Sequence, residues 1–293
     1  MLLAVPNVSE GRDRRLLGEL AGAFEPWLLL DLHADPDHNR SVLSLASQKA
    51  DQPAVEGLLA GVRRCLAAID LASHEGVHPR VGAVDVLPIV YPREQERSRA
   101  IALALTVAAR IGDELTLPVF LYGELATDPA HRERAELRRG GPEELGRRLA
   151  SGELRPDFGP AVLDPRAGAL LVTARPPLVA FNVELRDGDL ALARRVAAEL
   201  RESAGGPSGL RAIGVPLPSR GTVQVSFNVH DPLRVPLAEI VALVRQRAPV
   251  ASAEIVGLVP AAALEGFPED VPLRDFDRDR QVLERALARL RKS

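Results

Sequence analysis

Hydrophobic positions along this 293-residue chain alternate between the spacing of a helix and that of a strand. From Asp51 to Ile69 apolar residues recur with a period near 3.6, and Pro53 stands close to the start, which predicts a helix. The stretch Thr222–Val229 alternates instead, with its valines and Phe227 on one face, which predicts a half-buried strand. Both periods occur throughout the chain, which indicates a mixed fold.

The same reasoning predicts further elements along the chain. Strands are predicted at Leu2–Val5, Trp27–Leu32, Arg40–Ala46, Ala83–Tyr91, Pro118–Tyr122, Leu178–Leu185, Leu210–Val215 and Ala253–Val259. Helices are predicted at Asp13–Phe24, Glu94–Leu115, Leu190–Leu200 with Asp187 as its cap, 237–244 and Asp277–Ser293. The polar region from Thr127 to Arg166 is rich in Arg, Gly and Pro and predicts short helices and a linker with a loop.

The two halves of the chain have similar patterns. Each half predicts the order strand, helix, strand, strand, helix, strand, which is that of a split βαβ or ferredoxin-like unit. We therefore expect an α+β fold with two tandem ferredoxin-like subdomains, at residues 1–175 and 176–270. A helical tail at 271–293 completes the expected domain organisation.

Composition narrows the class of protein. A net charge of -3 and an aromatic content of 3% give no reason to expect nucleic acid or a membrane surface as a partner. The longest apolar stretch, Ala100–Ala109, is too short to span a bilayer. No secretory signal is visible, and a single cysteine, Cys65, suits a reducing compartment. We expect a cytoplasmic protein.

The segment HEGVHPRVGAVD, from His74 to Asp85, contains the densest group of potentially catalytic side chains in the sequence. Its H-E-x-x-H string would present two zinc ligands if it were helical, but Gly76 and Pro79 disfavour a helix. A loop that presents His78 as a general acid or base is the second interpretation, and a structural histidine at a turn is the third.

Two other polar segments follow predicted strands. Asn7, Ser9 and Glu10 lie in VPNVSEGR, where they could meet a ligand, although Asn7 or Ser9 could also cap the next helix. The segment from His33 to Asn39 holds histidines and aspartates without zinc-site spacing, and a polar turn explains it equally well. We predict no metal site.

The region Asp157–Ala169 is rich in Gly and Pro and by itself indicates an inter-domain loop. The chain contains neither G-x-x-x-x-G-K-[ST] nor G-x-G-x-x-G, so the sequence offers no nucleotide phosphate loop. It also lacks a G-x-S-x-G elbow, which argues against an α/β-hydrolase.

In order along the chain, these stretches resemble the formiminotransferase family, the transferase part of formimidoyltransferase-cyclodeaminase. The matching pieces are VPNVSEGR at 5–12, ADPDHNRSV at 34–42, HEGVHPRVGAVDVLP at 74–88, PVFLYGE at 118–124, PDFGPAVLDPRAGA at 156–169, LVAFNVEL at 178–185, GTVQVSFNV at 221–229 and AEIVGLVP at 253–260. The ordered set is far more specific than any single motif.

The resemblance implies two subdomains with facing sheets, a folate groove between them, and a homodimer. It implies transfer of the formimidoyl group of N-formimidoyl-L-glutamate to the N-5 nitrogen of tetrahydrofolate, which serves as co-substrate. His78 matches the family's catalytic histidine, and Glu10 and Asp85 are candidate carboxylates for charge stabilisation. The family's folate-binding stretch falls on Gly159, Pro160, Ala161, Val162, Leu163, Asp164, Pro165, Arg166, Ala167 and Gly168. Further candidates for substrate binding are Asn7, Asn39, Arg40, Arg80 and, by position, Arg175.

The chain departs from the family pattern in two places. Many relatives carry a carboxylate two residues after the equivalent of Asp31, where this chain has His33. The segment AIGVPLPSRG also lacks an aromatic residue and an acidic pair that relatives often show. Two alternatives therefore stay open, a folate-binding relative that uses another donor such as a formyl group, and one without catalysis.

Overall fold

The computed structural model describes residues 1–290 and divides the chain into two compact units. The first unit is Met1–Pro176, and the second begins at Pro177. Each has its own apolar core. No helix within residues 1–290 is long and apolar enough to cross a membrane.

The first unit contains a seven-stranded sheet. Its strands are β1 Leu2–Ala4, β2 Asn7–Val8, β3 Leu28–Asp35, β4 Arg40–Ser47, β5 Val84–Val90, β6 Val119–Leu121 and β7 Leu170–Arg175. The short strands β1 and β2 lie end to end between β4 and β5, and both pair antiparallel with these neighbours. The break at Pro6 is expected, because proline has no N–H to give to the ladder. β3 extends the sheet on the far side of β4, while β7 and β6 extend it beyond β5 in parallel pairs.

The first unit has five α-helices, and the first two start at aspartate caps. They are α1 Arg14–Gly22, α2 Gln52–Ala68, α3 Arg97–Leu115, α4 Arg134–Leu137 and α5 Gly141–Ala150. Asp13 Oδ1 accepts the N–H of Leu16 at 2.9 Å and caps α1, while Asp51 caps α2. The apolar stripe of α2 is buried in the core of the unit, as its period predicts.

The second unit has a four-stranded antiparallel sheet in the order β11, β8, β10, β9. Its elements are β8 Val179–Leu185, α6 Leu190–Leu200, β9 Leu210–Leu217, β10 Thr222–Val229, α7 Leu237–Arg245, β11 Val250–Val256, α8 Arg278–Gln281 and α9 Leu283–Leu290. The valines and Phe227 on one face of β10 are all buried in the core, which confirms the alternation predicted for this strand.

Element order agrees with the repeat expected from the sequence. In the first unit β1/β2, α1, β3, β4, α2 and β5 follow one another, and in the second β8, α6, β9, β10, α7 and β11 do so. Within these sets the strand order is equivalent, because the first strand lies between the third and the fourth in both sheets.

Some predicted boundaries were wrong. The strand β7, Leu170–Arg175, was not predicted although all its residues except Arg175 are buried, because the Gly-rich region before it indicated a continuing linker. Asp189, not Asp187, caps α6 by accepting the N–H of Leu192. The expected single helix at the C-terminus is interrupted at Val282, and residues 291–293 of that prediction lie outside the described part.

Candidate functional site

The segment from His74 to Arg80 is not helical. A 3-10 turn, Leu71–Ser73, ends at His74, and regular structure resumes only with β5. His74 and His78 therefore do not share a helix face, which removes the geometry that the zinc interpretation needs. Within residues 1–290 no group of three or more His, Cys, Asp and Glu side chains is placed to hold a metal ion.

Asp85, at the start of β5, is the centre of a buried ion-pair network. Its Oδ2 atom accepts from Arg40 Nη1 at 2.8 Å and from Arg138, and its Oδ1 atom accepts the N–H of Val81 at 2.9 Å. Burial alone would raise the pKa of Asp85, but Arg138 and Arg40 outweigh it and hold that pKa well below its usual range. The carboxylate therefore stays ionised despite having no exposed surface.

Asn7 joins this network from β2. Its Oδ1 atom accepts from Arg40 Nη2 at 2.8 Å, while its own amide donates to the carbonyl of Val5. Ser9 donates to the carbonyl of Gly82 at 2.7 Å. Neither side chain caps α1, so the capping interpretation of this segment was wrong. Ser9 instead connects the end of β2 to the segment that leads into β5, and Asn7 connects β2 to Arg40 on β4.

Hydrogen bonds of Asn39 and His74 join the turn between β3 and β4 to the segment His74–Arg80. Asn39 donates to the carbonyl of Glu75 at 3.0 Å and accepts the N–H of Gly11 at 3.0 Å. His74 Nε2 lies 2.7 Å from the carbonyl oxygen of Asn39, which can only accept, so this nitrogen carries the proton. Burial lowers the pKa of His74. These contacts give Asn39 and His74 a positioning role in the free protein.

His78 lies beside the buried network. Its Nδ1 atom is 2.8 Å from the carbonyl oxygen of Pro79, so Nδ1 carries the proton and Nε2 keeps a free lone pair. Its ring centroid is 5.4 Å from that of His38. Burial, followed by the charges of Arg40 and Arg138, lowers the pKa of His78 well below its ordinary value. A neutral imidazole of this kind can accept a proton at neutral pH.

Arg80 and Glu10 are bound to nearby backbone. Arg80 donates to the carbonyls of His74 and Gly76, and burial lowers its pKa. Glu10 Oε1 accepts the N–H groups of Arg12 at 2.6 Å and Asp13 at 2.9 Å, ahead of α1. The structure thus brings Asn7, Arg40, His78 and Asp85 together, whereas these contacts of Arg80 and Glu10 lie within their own segments.

The loop Gly159–Gly168 is anchored at both ends and exposed in the middle. At its start Phe158 exchanges backbone hydrogen bonds with Val119 on β6. At its end Ala167 and Ala169 pair with residues 81–83, the segment that carries the N–H bound by Asp85. Gly168 has φ +74°, and a Cβ there would stand 2.1 Å from the carbonyl oxygen of Val81. Between the anchors Val162 is 73% exposed. The loop therefore starts and ends on the sheet that holds Asp85.

Sequence reasoning missed two residues of this arrangement. Arg138, just beyond α4, contacts Asp85 through Nε and Nη2. Arg134 lies one helical turn earlier, with its guanidinium 5.5 Å from the centroid of the Tyr122 ring. The polar region 127–166 contains many arginines, and no spacing in it separates these two from surface residues.

Comparison with known proteins identifies the family. Residues 1–175 match the model of the formiminotransferase domain, N-terminal subdomain, and residues 180–267 match that of the formiminotransferase domain. A glutamate formimidoyltransferase of Thermoplasma acidophilum is 34% identical over 97% of this chain and 96% of its own. One from Streptococcus pyogenes is 35% identical over 97% of both chains. The formimidoyltransferase-cyclodeaminase of Mus musculus is 35% identical over 89% of this chain and 50% of its own length. This chain therefore belongs to the formiminotransferase family.

Proposed function

We propose that this protein is a glutamate formimidoyltransferase, which moves the formimidoyl group of N-formimidoyl-L-glutamate to the N-5 nitrogen of tetrahydrofolate. Membership of the family supports this activity, as do two relatives of similar length that bear the name glutamate formimidoyltransferase. The observation that carries the proposal furthest within the chain is the environment of His78.

His78 is the acid–base group in this proposal. In the reaction the N-5 nitrogen loses a proton as it bonds to the formimidoyl carbon, and the glutamate nitrogen gains one as its bond to that carbon breaks. The contact of Nδ1 with the Pro79 carbonyl leaves Nε2 to accept the first proton and to deliver it to the leaving nitrogen. The lowered pKa keeps the imidazole neutral and ready before substrate arrives.

Asp85 acts by positioning in this proposal. Its oxygens already accept from Arg40, Arg138 and the N–H of Val81, and its carboxylate has no exposed surface. Such a group holds the guanidinium groups beside His78 and opposes their effect on the pKa of the imidazole. Glu10 stays a candidate for stabilising positive charge on the reacting group.

The loop Gly159–Gly168 is the proposed folate contact. Its anchored ends fix where it leaves and rejoins the sheet, and its exposed middle leaves side chains such as Val162 available to a ligand. Asn39, Arg40 and Arg80 stay candidates for substrate binding, although each already has partners in the protein. Substrate would have to extend these contacts or replace them.

Several broader features also belong to this proposal. The strand order, with antiparallel neighbours in β3, β4, β1/β2 and β5 and again in β9, β10, β8 and β11, supports ferredoxin-like subdomains. The folate groove, the homodimer, the cytoplasmic location and the absence of nucleic-acid and membrane partners stay predictions.

The test is direct. Purified protein is mixed with N-formimidoyl-L-glutamate and tetrahydrofolate, and 5-formimidoyltetrahydrofolate is measured. His78→Ala should lower kcat by a factor of about 10²–10⁴, the usual contribution of a positioned acid–base group. His230→Gln, at an exposed histidine of the second unit, is the matched control and should retain the wild-type rate.

One outcome would overturn the proposed activity, and a second would overturn the role of His78. Wild-type protein that binds tetrahydrofolate without transferring the formimidoyl group would favour another donor, such as a formyl compound, or a binding role, and would direct attention to His33. Full activity in His78→Ala would remove the assigned acid–base group while leaving the reaction in place.

A further inference from the structure

Two partly buried arginines of the first unit, Arg134 and Arg175, contact a tyrosine ring and a backbone carbonyl. Arg175 ends β7, and its Nη1 atom donates to the carbonyl of Pro176 at 2.9 Å. Arg134 begins α4. Within residues 1–290 neither guanidinium forms an ion pair with a carboxylate, in contrast to Arg40 and Arg138, which share Asp85. Asp85 and Glu133 favour the charged form of Arg134, but burial outweighs them, and burial also lowers the pKa of Arg175. Arg175 Nε is a buried donor without a hydrogen-bond partner in the described chain. An anion bound here would therefore be stabilised.

Tyr122 connects the two arginines. The guanidinium of Arg134 lies 5.5 Å from the centroid of its ring, a cation–π distance. The Tyr122 side chain is buried, and no protein group described here hydrogen-bonds its hydroxyl with good geometry, although Arg175 lies within interaction range. Burial lowers the pKa of Arg175 to about 10, so the side chain stays a cation at neutral pH. Two guanidinium groups and a hydroxyl donor together match the acceptor pattern of a carboxylate.

This cluster of Arg134, Arg175 and Tyr122 is separate from His78 but continuous with its surroundings. Arg134 stands one helical turn before Arg138, so both project from the same side, and Arg138 contacts Asp85. Arg175 pairs in register with Val90, at the end of β5 opposite Asp85. Five residues of extended strand separate Asp85 from Val90 by about 17 Å. The cluster therefore extends from the Asp85 network toward the far end of the strand.

We propose that Arg134, Arg175 and the Tyr122 hydroxyl form a subsite for a substrate carboxylate that lies away from the transferred carbon. This inference rests on the proposed function, in which the donor and the glutamate tail of the folate both carry carboxylates. The bidentate geometry of arginine suits such groups, and a remote carboxylate contact contributes binding without taking part in the chemistry.

Steady-state kinetics of Arg134→Gln and Arg175→Gln test the subsite. Each variant should raise the KM of one substrate at least tenfold while kcat changes less than threefold, since the contact is made equally before and during the reaction. A rise confined to N-formimidoyl-L-glutamate assigns the subsite to the donor, and one confined to tetrahydrofolate assigns it to the folate tail. Arg139→Gln is the matched control, because Arg139 is 55% exposed and pairs only with surface glutamates in the described chain; both KM values should stay within twofold.

Equilibrium binding keeps this test independent of turnover. Calorimetric titration of wild-type protein and the variants with L-glutamate, and separately with tetrahydrofolate, should show at least tenfold weaker binding of one ligand in both variants. Arg175→Lys should recover part of the lost affinity, because lysine restores the charge but not the paired N–H donors of the guanidinium. If wild-type protein binds a ligand without transferring the formimidoyl group, the proposed function fails. The subsite is then tested by the affinities alone, and it is supported if both variants bind that ligand at least tenfold more weakly. Unchanged affinities and KM values in both variants, or no binding of either ligand to wild-type protein, would overturn the subsite.

Discussion

Arg138 donates hydrogen bonds from two guanidinium nitrogens to the fully buried carboxylate of Asp85, although the two residues are 53 positions apart in the sequence. The pair affects His78 in two opposite ways. The charge of Arg138 lowers the pKa of the imidazole, and the charge of Asp85 raises it. Burial is the largest cause of the lowered pKa of His78, and the charges of Arg40, Arg138 and Asp85 add to or oppose it, so substitution of Arg138 or Asp85 will change that pKa.

We expect the two partners to move the pH–rate profile in opposite directions. The free base of His78 is the active form in the proposed reaction, so activity should fall only as the pH drops through its lowered pKa. Arg138→Gln removes a charge that lowers this pKa, so the acidic limb of kcat/KM should move to higher pH. Asp85→Asn removes a charge that raises it, so the limb should move to lower pH. Initial rates between pH 4.5 and 8 provide the measurement.

Asp85→Asn also leaves two guanidinium groups without their shared partner, and we expect it to lower the free energy of unfolding by about 3–5 kcal/mol. Arg138→Gln keeps the test available if that variant does not fold. Arg139→Gln, on the exposed side of the same region, should leave the limb in place. Shifts of the same sign in both site variants would contradict the balance described above.

Protein stability should depend on the protonation of His78. Its pKa is lower in the folded chain than the ordinary value of about 6.5, so the unfolded chain binds more protons below that pH. The free energy of unfolding therefore falls as pH drops below about 6.5, by at most about 1.4 kcal/mol per pH unit for one such histidine. Urea midpoints between pH 5 and 7.5 should show a shallower slope in His78→Asn than in wild type.

Arg139→Gln is the control for that slope, because Arg139 is 55% exposed and an arginine does not titrate between pH 5 and 7.5. It should reproduce the wild-type dependence on pH. An identical slope in His78→Asn would mean that His78 titrates alike in the folded and unfolded chain, contrary to the burial that lowers its pKa.

Much of the fold could be predicted because it depends on local periodicity. Leu190–Leu200 and Thr222–Val229 have the predicted bounds, since an apolar stripe of period 3.6 or 2 is visible within a single segment. The strand β7 escaped prediction because the Gly- and Pro-rich region before it indicated a continuing linker, and its parallel pairing with β5 and β6 is a contact between distant segments.

The site depends on contacts between distant segments, which periodicity does not encode. Asn7, Arg40 and Asp85 could be selected as polar residues at strand ends, but their mutual hydrogen bonds follow from the pairing of β2, β4 and β5. Arg138 reaches Asp85 from a region with many arginines, so only the tertiary fold distinguishes it. Arg80 has a suitable position and charge, yet its guanidinium donates to its own segment.

Gly168 should tolerate no side chain. It has φ +74°, and a Cβ would meet the carbonyl oxygen of Val81 at 2.1 Å, so Gly168→Ala combines backbone strain with a clash against backbone. We expect it to lower the free energy of unfolding by about 3 kcal/mol or more and, if the proposed function holds, to weaken tetrahydrofolate binding through the loop it anchors. Chemical denaturation and calorimetric titration measure the two effects.

Gly152→Ala separates the effect of the steric clash from that of the strained backbone conformation at positive φ. Gly152 has a similar φ of +75°, but nothing lies within 4 Å of the position its Cβ would take. This variant should cost only about 1 kcal/mol and leave folate binding unchanged. Equal losses in the two variants would show that the close approach of Gly168 to Val81 has no energetic consequence.

Glu184 should be essential to the stability of the second unit. This side chain on β8 is 5% exposed and accepts from Thr222 at 2.8 Å, from Ser252 at 3.1 Å and from Arg220 at 2.9 Å. Arg274 lies 3.6 Å from the same carboxylate. Glu184→Gln keeps the shape but replaces an accepting oxygen with an N–H donor that faces other donors. Because the two arginines retain some access to water, we expect a loss of about 2 kcal/mol, less than for a fully buried pair.

Glu199→Gln is the control, since Glu199 forms a 2.9 Å ion pair with Arg247 but is 49% exposed, and its loss should cost less than about 0.5 kcal/mol. Urea unfolding followed by far-ultraviolet circular dichroism reports both units, whereas the single tryptophan, Trp27, lies in the first unit and reports that unit by fluorescence. The dichroism transition of Glu184→Gln should move to lower urea than that of Glu199→Gln. If the two variants unfold together, the buried carboxylate contributes no more than a surface ion pair, and its hydrogen bonds only offset the cost of its burial.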